Sequence, residues 1–467
     1  MDNLWRLIDN RFFVLLSLLL VSVAILLQSP LAPYATGCVD NDSSIFITVA
    51  RSMMDGNILY RDVTDHKGPL VFLMDALGLW LAKGRLVGIW FLEVLSLYVS
   101  SLFAYRTAQL LFDRIISLMA TWMGLLFLTP VLVGGNLTEE WALPYIALAL
   151  YIFVKYLVTK KELTFTQLFI LSLTFVMAFL LKATYVCVWC AFGFIIVVSL
   201  MKDRSYGLLV KYLVSIVLFT SLVMIPFVSY FMYHDALSDA YYWMMTFNIH
   251  YSDTIQATST LFYFLQTVLG VHYLLFVVVL TILFILLKEW HRKFPRIFYG
   301  YVLAYLLTAY TCAIGGRYEH YYIVFSPLLV LVYACLLYLL KIDTVWKRAI
   351  VMAFIIGFGG IEVIRKYKFV YVDKTVPVVV NLVEKHSRPE DTMMGDSLVN
   401  RAIYAYADRK CVNKYLSNAY SPDITEEVLA KMPKIIVHVK TTPLDDSILK
   451  LYSLAESYKE YEIYVRN

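Results

Sequence analysis

The chain has 467 residues, of which 60% are hydrophobic and 16% are charged, and its mean hydropathy is +0.69. Soluble domains are about 45–50% apolar and about 25% charged, so the composition excludes an ordinary soluble protein and predicts an integral protein of the lipid bilayer. A net charge of +5 on so apolar a chain gives no indication of nucleic acid binding.

Apolar runs long enough to cross a bilayer recur from residue 12 to residue 364. The first run follows Arg6 and Arg11, and its length favours a retained anchor over a cleaved signal peptide. We predict eleven transmembrane helices, at roughly 12–31, 86–110, 115–133, 143–158, 165–181, 184–200, 208–232, 262–287, 297–314, 321–340 and 347–364.

Lys and Arg are concentrated in the loops on the amino-terminal side of these spans, whereas the short loops on the other side contain essentially Lys182 and Arg317. The positive-inside rule therefore places the amino terminus in the cytoplasm and the carboxyl terminus outside, in an integral plasma (inner) membrane protein. The long first outer loop, residues 32–84, departs from the rule, which suggests that its cations have a function. They are Arg51, Arg61, Lys67 and Lys83, with Arg85 directly after the loop.

The composition changes to that of a soluble protein after Lys368, where β-rich stretches such as KIIVHVK and YEIYVRN alternate with helical ones. The predicted fold class is a polytopic α-helical membrane protein with a small carboxy-terminal α/β domain. We expect a transmembrane domain at 1–368, including the outer loop 32–84, and an extracytoplasmic α/β domain at 369–467. Walker A, GxGxxG and HExxH patterns are absent, so ATP-driven transport, dinucleotide chemistry and zinc proteolysis lack their usual sequence support.

The predicted topology places polar residues from four loops on the outer face. Carboxylates there can act as general bases for a hydroxyl, and Arg, Lys and His can bind a phosphate. Together they suit transfer from a phosphorylated lipid. The residues are Asp40, Asp42, His66 and Lys67 in the first loop, Glu139 and Glu140 in GGNLTEEWALP, Lys182 in a third turn, and Arg317, His320 and Tyr321 in GGRYEHYY.

Each group also has a purely structural interpretation. Asp42 can be the N-cap of a helix from Ser43 to Met54 that ends at Gly56. Lys67 can extend its ammonium to the membrane interface, and Glu139 with Glu140 can form a solvated helix start. Lys182, Arg317 and His320 can be ordinary interfacial residues. These separate interpretations do not explain why all the groups fall on one side.

The residues together resemble the GT-C superfamily of polytopic glycosyltransferases, in the branch of protein O-mannosyltransferases and lipid A aminoarabinose transferases. The resemblance covers nearly the whole chain in order and spacing. In the first outer loop, the motif D-x-x-x-[FY]-x-x-x-A-x-x-[ML]-x-x-G matches Asp42, Phe46, Ala50, Met53 and Gly56, and it is followed by Tyr60, Asp62 and Lys67-Gly68-Pro69-Leu70. The later outer loops match through Glu139 or Glu140, through Lys182, and through Arg317, Tyr318, His320, Tyr321 and Pro327.

This resemblance implies a polyprenyl-phosphate sugar as donor, bound at the outer leaflet, and inverting transfer to a hydroxyl acceptor. It implies that Asp42 is the general base, with Asp40, Glu139 and Glu140 as further acidic candidates. Lys67 and Arg317 become the phosphate ligands, and His320, His66, Lys182 and Tyr321 are assigned to the same donor phosphate. Some relatives have an Arg three residues after the catalytic Asp and an acid before the Lys, where this chain has Ile45 and His66.

The stretch Asp40-Asn41-Asp42 also matches DxD, a pattern that binds a divalent ion in other transferases. A lipid monophosphate needs no such ion, because Lys and Arg can neutralise it, so we expect no cofactor and no metal.

Two other functions remain open. A lipid-linked glycan flippase or transporter can also have many helices, but it usually has ionisable residues within the membrane, and here Glu93 is among the few. An oligosaccharide ligase would share substrates and location, but it typically centres on a large outer loop late in the chain.

Overall fold

The structure is a computed structural model that describes residues 10–33, 35, 38–39, 41–253, 292–314, 318–368, 374–396, 400–416, 424–441 and 443–467. Two predicted site residues, Asp40 and Arg317, and the predicted span 262–287 lie outside the described residues.

Most of the described chain is helical. Short 3-10 helices at Ala183–Val186 and Glu319–Phe325 precede two of the α-helices, and a π-helical turn occupies Tyr242–Thr246. The α-helices are α1 Arg11–Leu26, α2 Asn41–Met54, α3 Pro69–Leu81, α4 Val87–Ala108, α5 Arg114–Leu126, α6 Thr138–Thr159, α7 Phe165–Phe179, α8 Cys187–Lys202, α9 Tyr206–Tyr233, α10 Leu237–Tyr241, α11 Phe247–Asp253, α12 Pro295–Ile314, α13 Ser326–Leu339, α14 Val345–Lys368, α15 Thr375–Lys385, α16 Ala402–Ala407, α17 Thr425–Lys431 and α18 Asp446–Leu449.

The chain is a polytopic helical membrane protein. Within the described ranges, six helices are long and apolar enough to cross a bilayer, and each matches a predicted span: Val87–Ala108, Thr138–Thr159, Ala183–Lys202, Tyr206–Tyr233, Pro295–Ile314 and Glu319–Leu339. The shorter apolar helices α1, α5 and α7 occupy three further predicted spans. The span predicted at 347–364 is helix α14, which has charged residues near both ends and is not one of the six. The total of eleven stays a prediction.

The chain divides into two compact units, which we call unit 1 and unit 2. Unit 1 comprises Met1–Gln28, Phe91–Phe227 and Ile249–Phe369. Unit 2 comprises Ser29–Trp90, Val228–Asn248 and Val370–Asn467, so it combines the segment predicted as the first outer loop with the carboxy-terminal segment. The domain boundary at 368/369 and the extracytoplasmic side of the second domain stay predictions.

Helices of unit 1 pack closely where a glycine permits it. Helix α5 packs on α13, and the Ser326 hydroxyl donates to the Gly124 carbonyl at 2.8 Å. A Cβ at Gly124 would lie 2.5 Å from a methyl of Val330, so a larger residue would separate the two helices.

Unit 2 contains a five-stranded sheet with the order β2-β1-β3-β5-β4. Strands β1, β2 and β3 are parallel, while β5 pairs antiparallel with both β3 and β4. The stretches KIIVHVK and YEIYVRN form β3 and β5, which confirms both as strands. The ranges are β1 Thr392–Gly395, β2 Lys410–Cys411, β3 Ile435–Val439, β4 Tyr452–Tyr458 and β5 Tyr461–Arg466.

Long-range contacts attach α2 to the carboxy-terminal segment within unit 2. The Arg51 guanidinium donates to the Ala405 carbonyl of α16 at 2.7 Å and pairs with Asp408 at 3.2 Å. Nearby, the Thr64 N–H donates to the Lys414 carbonyl at 2.8 Å. Arg61 also has partners, since it donates to Asp62 and to the His234 carbonyl. Two of the cations that depart from the positive-inside rule therefore stabilise unit 2.

Candidate active site

Asp42 lies in the first turn of α2, because that helix begins at Asn41. The interpretation of Asp42 as an N-cap was therefore wrong: the helix starts earlier than predicted, and the position before it is residue 40. A carboxylate in the first turn is favoured by the helix dipole. Asp42 is half-buried, and within the described part of the chain no hydrogen bond or ion pair engages its carboxylate.

The other end of α2 is fixed as predicted. Gly56 adopts a φ of +97°, a conformation that glycine accepts most readily. The Gly56 N–H donates to Met53, and the Asn57 N–H donates to Ser52 at 3.1 Å, which together form a Schellman motif. The helix that carries Asp42 is therefore closed at its carboxyl end by local hydrogen bonds.

Helices α2 and α3 pack with their N-terminal ends adjacent. The rings of Phe46 and Phe72 meet edge to face, with centroids 5.8 Å apart, within the first two turns of their helices. Asp42 lies one turn before Phe46, and Lys67 immediately precedes Gly68, the N-cap of α3. The prediction of a helix beginning at Pro69 is confirmed. Asp42 and Lys67 thus belong to the first turn of one helix and to the start of a second helix that packs against it.

The motif residues Tyr60 and Asp62 build the turn that holds Lys67. The Tyr60 hydroxyl donates to the Lys67 carbonyl at 2.7 Å, and burial raises the pKa of Tyr60, so this donor stays protonated. Asp62 accepts the Ile58 N–H at 2.8 Å, and the hydrogen bond from Arg61 holds the pKa of Asp62 below its usual value. These two residues stabilise the backbone turn that leads to Lys67.

The side chain of Lys67 contacts its neighbour in the sequence. Its Nζ lies 2.8 Å from Nε2 of His66, and its backbone N–H donates to the Asp65 carboxylate at 2.9 Å. From the segment 228–248, the Asn248 amide donates to the His66 carbonyl at 2.9 Å. His66 and Lys67 are therefore held together within unit 2, and Asn248 is a contributor that the sequence analysis missed.

In unit 1, Glu139, Lys182 and Tyr321 line a small cavity whose other walls are largely apolar. Lys182 Nζ lies 3.7 Å from Glu139 Oε1 and 4.0 Å from the centre of the Tyr321 ring. His320 packs edge to face on Tyr321, with centroids 4.8 Å apart, and interacts electrostatically with Glu139. The cavity has a volume of about 20 Å³, enough for one water molecule. Four of the predicted site residues are thus brought together.

The cavity also has partners that the sequence analysis missed. Thr138 donates to Glu139 Oε2 at 3.1 Å, and its hydroxyl lies 2.7 Å from that of Tyr185. Both residues are buried, so Glu139 is oriented from more than one side. Thr138 lies within the quoted stretch GGNLTEEWALP but was not selected as a site residue, and Tyr185 lies outside the quoted stretches. No sequence signal distinguished either residue from ordinary core residues.

Glu140 has a different environment from Glu139. The interpretation of a solvated helix start was wrong, because Glu139 is 2% exposed and Glu140 is 0% exposed. The carboxylates of Glu93 and Glu140 both accept the Asn136 N–H, at 2.5 and 3.1 Å. Glu93 is a charged residue in an apolar helix, a feature that often marks a functional or structural polar group. Glu140 thus anchors the turn before α6, whereas Glu139 faces Lys182.

We expect Glu140→Gln to be stable and Glu140→Ala to lose about 1–3 kcal/mol of unfolding free energy. The buried carboxyl groups of Glu93 and Glu140 meet at one N–H, so one of them is favoured as the neutral acid, and an amide at position 140 resembles that form while still accepting the Asn136 N–H. Thermal unfolding in detergent measures this, with the exposed Glu426→Ala as a control expected within about 0.5 kcal/mol of wild type. Equal destabilisation by Gln and Ala would show that the charge itself is required.

No family model and no curated protein matches the sequence. Solved structures do match. The structure of ArnT from Cupriavidus metallidurans bound to undecaprenyl phosphate has a TM-score of 0.63 at 12% identity, with 97% of this chain and 97% of that chain covered. Oligosaccharyltransferase AglB from Archaeoglobus fulgidus, in complex with an inhibitory peptide and a dolichol-phosphate, has a TM-score of 0.54 at 12% identity, with 92% and 70% covered.

The chain has the GT-C fold. The resemblance inferred from the motifs is confirmed at the level of the fold, since both neighbours are GT-C glycosyltransferases. Because the match to ArnT covers 97% of this chain, the GT-C fold includes residues of both units.

Proposed function

We propose that the protein is an inverting glycosyltransferase that moves a sugar from a polyprenyl-phosphate donor to a hydroxyl acceptor at the extracytoplasmic face of the membrane. The acceptor class is a glycolipid, a cell-envelope glycan or a protein. The observation that carries the proposal is the packing of α2 on α3 through Phe46 and Phe72, since Asp42 lies in the first turn of α2 and Lys67 lies just before α3.

In the proposed reaction, Asp42 takes the proton from the acceptor hydroxyl while the oxygen of that hydroxyl attacks the anomeric carbon of the donor sugar. The bond from that carbon to the phosphate oxygen breaks, and polyprenyl phosphate leaves from the opposite face, which inverts the configuration. General-base catalysis of this kind contributes about 10²- to 10⁴-fold in rate. The Asp42 carboxylate, which no hydrogen bond or ion pair within the described residues engages, suits this role.

The negative charge of the departing phosphate needs compensation on the side of the anomeric carbon opposite the attacking hydroxyl. Lys67 supplies a positive charge, and Gly68 offers no capping side chain to the first N–H groups of α3. Such N–H groups at a helix start bind anions. The structures of ArnT with undecaprenyl phosphate and of AglB with a dolichol-phosphate support a lipid-phosphate ligand for this fold. Because Lys and Arg side chains can neutralise a monophosphate, the proposal includes no metal and no cofactor.

The test is an assay of the purified protein with a polyprenyl-phosphate sugar and a mixture of envelope acceptors. Release of polyprenyl phosphate together with glycosylated product, unaffected by a chelator, is the expected result. Movement of intact labelled donor across vesicles without release would favour a flippase. Turnover only with a diphosphate-linked oligosaccharide would favour a ligase. Comparing envelope glycans by mass spectrometry with and without the protein would identify the acceptor.

The orientation in the membrane gives a separate prediction. A reporter fused after Asn467 should be active outside the cytoplasm, and fusions after Lys161, Lys202 and Lys293 should report from inside, because the Lys and Arg bias favours that topology. A carboxyl terminus found in the cytoplasm would contradict the proposed extracytoplasmic site.

A further inference from the structure

We propose that His66 positions the Lys67 ammonium for the donor phosphate, acting as a neutral imidazole rather than as a phosphate ligand. The proposal rests on the proposed function, since it concerns the phosphate site of that reaction. It changes the role that the resemblance gave to His66.

The contact between the two side chains defines the roles of their nitrogens. A Lys ammonium has only donors, and its Nζ lies 2.8 Å from Nε2 of His66. Nε2 must therefore offer its lone pair, which places the imidazole proton on Nδ1. Nδ1 lies 3.8 Å from Oδ2 of Asp65, a distance at which the carboxylate favours that proton position electrostatically. The order in space is carboxylate, imidazole and ammonium.

Neighbouring groups restrict the movement of the Asp65, His66 and Lys67 side chains. The Asp65 side chain is 4% exposed and also accepts the Lys67 N–H at 2.9 Å. The His66 ring packs against Phe247 with centroids 5.6 Å apart, and its carbonyl accepts from Asn248. The imidazole is therefore fixed on its backbone side and on one ring face, with Nε2 directed at Lys67.

Protonation of His66 would reverse this interaction. An imidazolium has no lone pair at Nε2, and it places a second positive charge beside the ammonium. Among the described residues, the titratable groups that face the pair include Asp65 and, through its hydrogen bond to the Lys67 carbonyl, Tyr60. Phe247 and Asn248 carry no charge. Lys67 should therefore lose its orientation when acid protonates the imidazole.

The experiment measures binding of undecaprenyl phosphate to the purified protein between about pH 5.5 and 8, together with KM and kcat for the sugar-linked donor. His66→Gln provides an acceptor that does not titrate, and His66→Phe removes the acceptor. We expect the Gln variant to bind nearly as wild type at pH 8 and to lose less affinity on acidification. The Phe variant should bind about tenfold more weakly throughout, with KM raised and kcat little changed.

The phosphate of the probe also titrates near pH 6, so the result is the difference between variants at each pH. Identical pH profiles of wild type and His66→Gln, or wild-type affinity of His66→Phe, would overturn the positioning role while leaving the proposed function intact. A wild-type protein that binds no undecaprenyl phosphate and turns over no sugar-linked donor would overturn both.

Discussion

Asp42→Asn is expected to slow sugar transfer about 10²- to 10⁴-fold while donor binding stays close to that of wild type. Asn has the shape of Asp but cannot accept a proton from the acceptor hydroxyl. Because Asp42 lies in the first turn of α2, loss of its charge should cost only about 0.3–1 kcal/mol of helix stability. Turnover and donor dissociation constants of the purified variants separate the chemical step from binding.

The matched control for this substitution is Asp55→Asn. Asp55 is exposed and follows the last residue of the same helix, so its replacement also removes one carboxylate from this segment. Its transfer rate should stay within about twofold of wild type. A fully active Asp42→Asn enzyme would exclude Asp42 as the base and move the assignment to Asp40, and then to Glu139 and Glu140.

Lys67→Met is expected to weaken donor binding about 10- to 100-fold and to reduce turnover as well. Met keeps most of the aliphatic stem but removes the ammonium, and a hydrogen bond to a charged group contributes about 1.5–3 kcal/mol. The backbone hydrogen bonds of Lys67 with Tyr60 and Asp65 do not depend on its side chain, so the turn should persist. Titration with undecaprenyl phosphate measures the effect.

Lys83→Met serves as the control, since Lys83 is an exposed cation of the same segment 32–84. Its removal changes the net charge equally, so a general electrostatic effect on an anionic lipid would appear in both variants. Equal weakening by the two substitutions would show that Lys67 does not bind the phosphate directly.

Several features followed from the sequence because their causes are local. The apolar runs predicted most of the membrane helices, since periodicity and length report the environment of a single segment. Pro69 and Gly56 predicted a helix start and a helix end through their restricted or permissive backbone angles. Alternating β-rich residues likewise predicted β3 and β5.

The start of α2 was predicted incorrectly because a capping side chain can occupy more than one position in DNDSS. Asp40, Asp42 and Ser43 are all residue types that cap helices, so composition alone does not choose among them. The structure resolves the ambiguity by beginning the helix at Asn41.

The tertiary structure alone distinguished Glu139 from Glu140. Consecutive helical residues point about 100° apart, so the two carboxylates reach different neighbours, Lys182 in one case and Asn136 in the other. Those neighbours come from different helices and turns. No pattern within TEEW specifies which of them each glutamate meets.

The sequence by itself indicated that the chain lies in a membrane and where most of its helices run, and it predicted which residue types would serve sugar transfer from a phosphorylated lipid. Only the tertiary structure showed that Arg51 bonds to Ala405, a residue 354 positions away, and that the helix carrying Asp42 packs on the carboxy-terminal segment. The hydrophobic pattern of one segment indicates whether its faces contact water or lipid. Contacts between distant segments depend on how their surfaces fit after folding, and that information is not contained in any single segment.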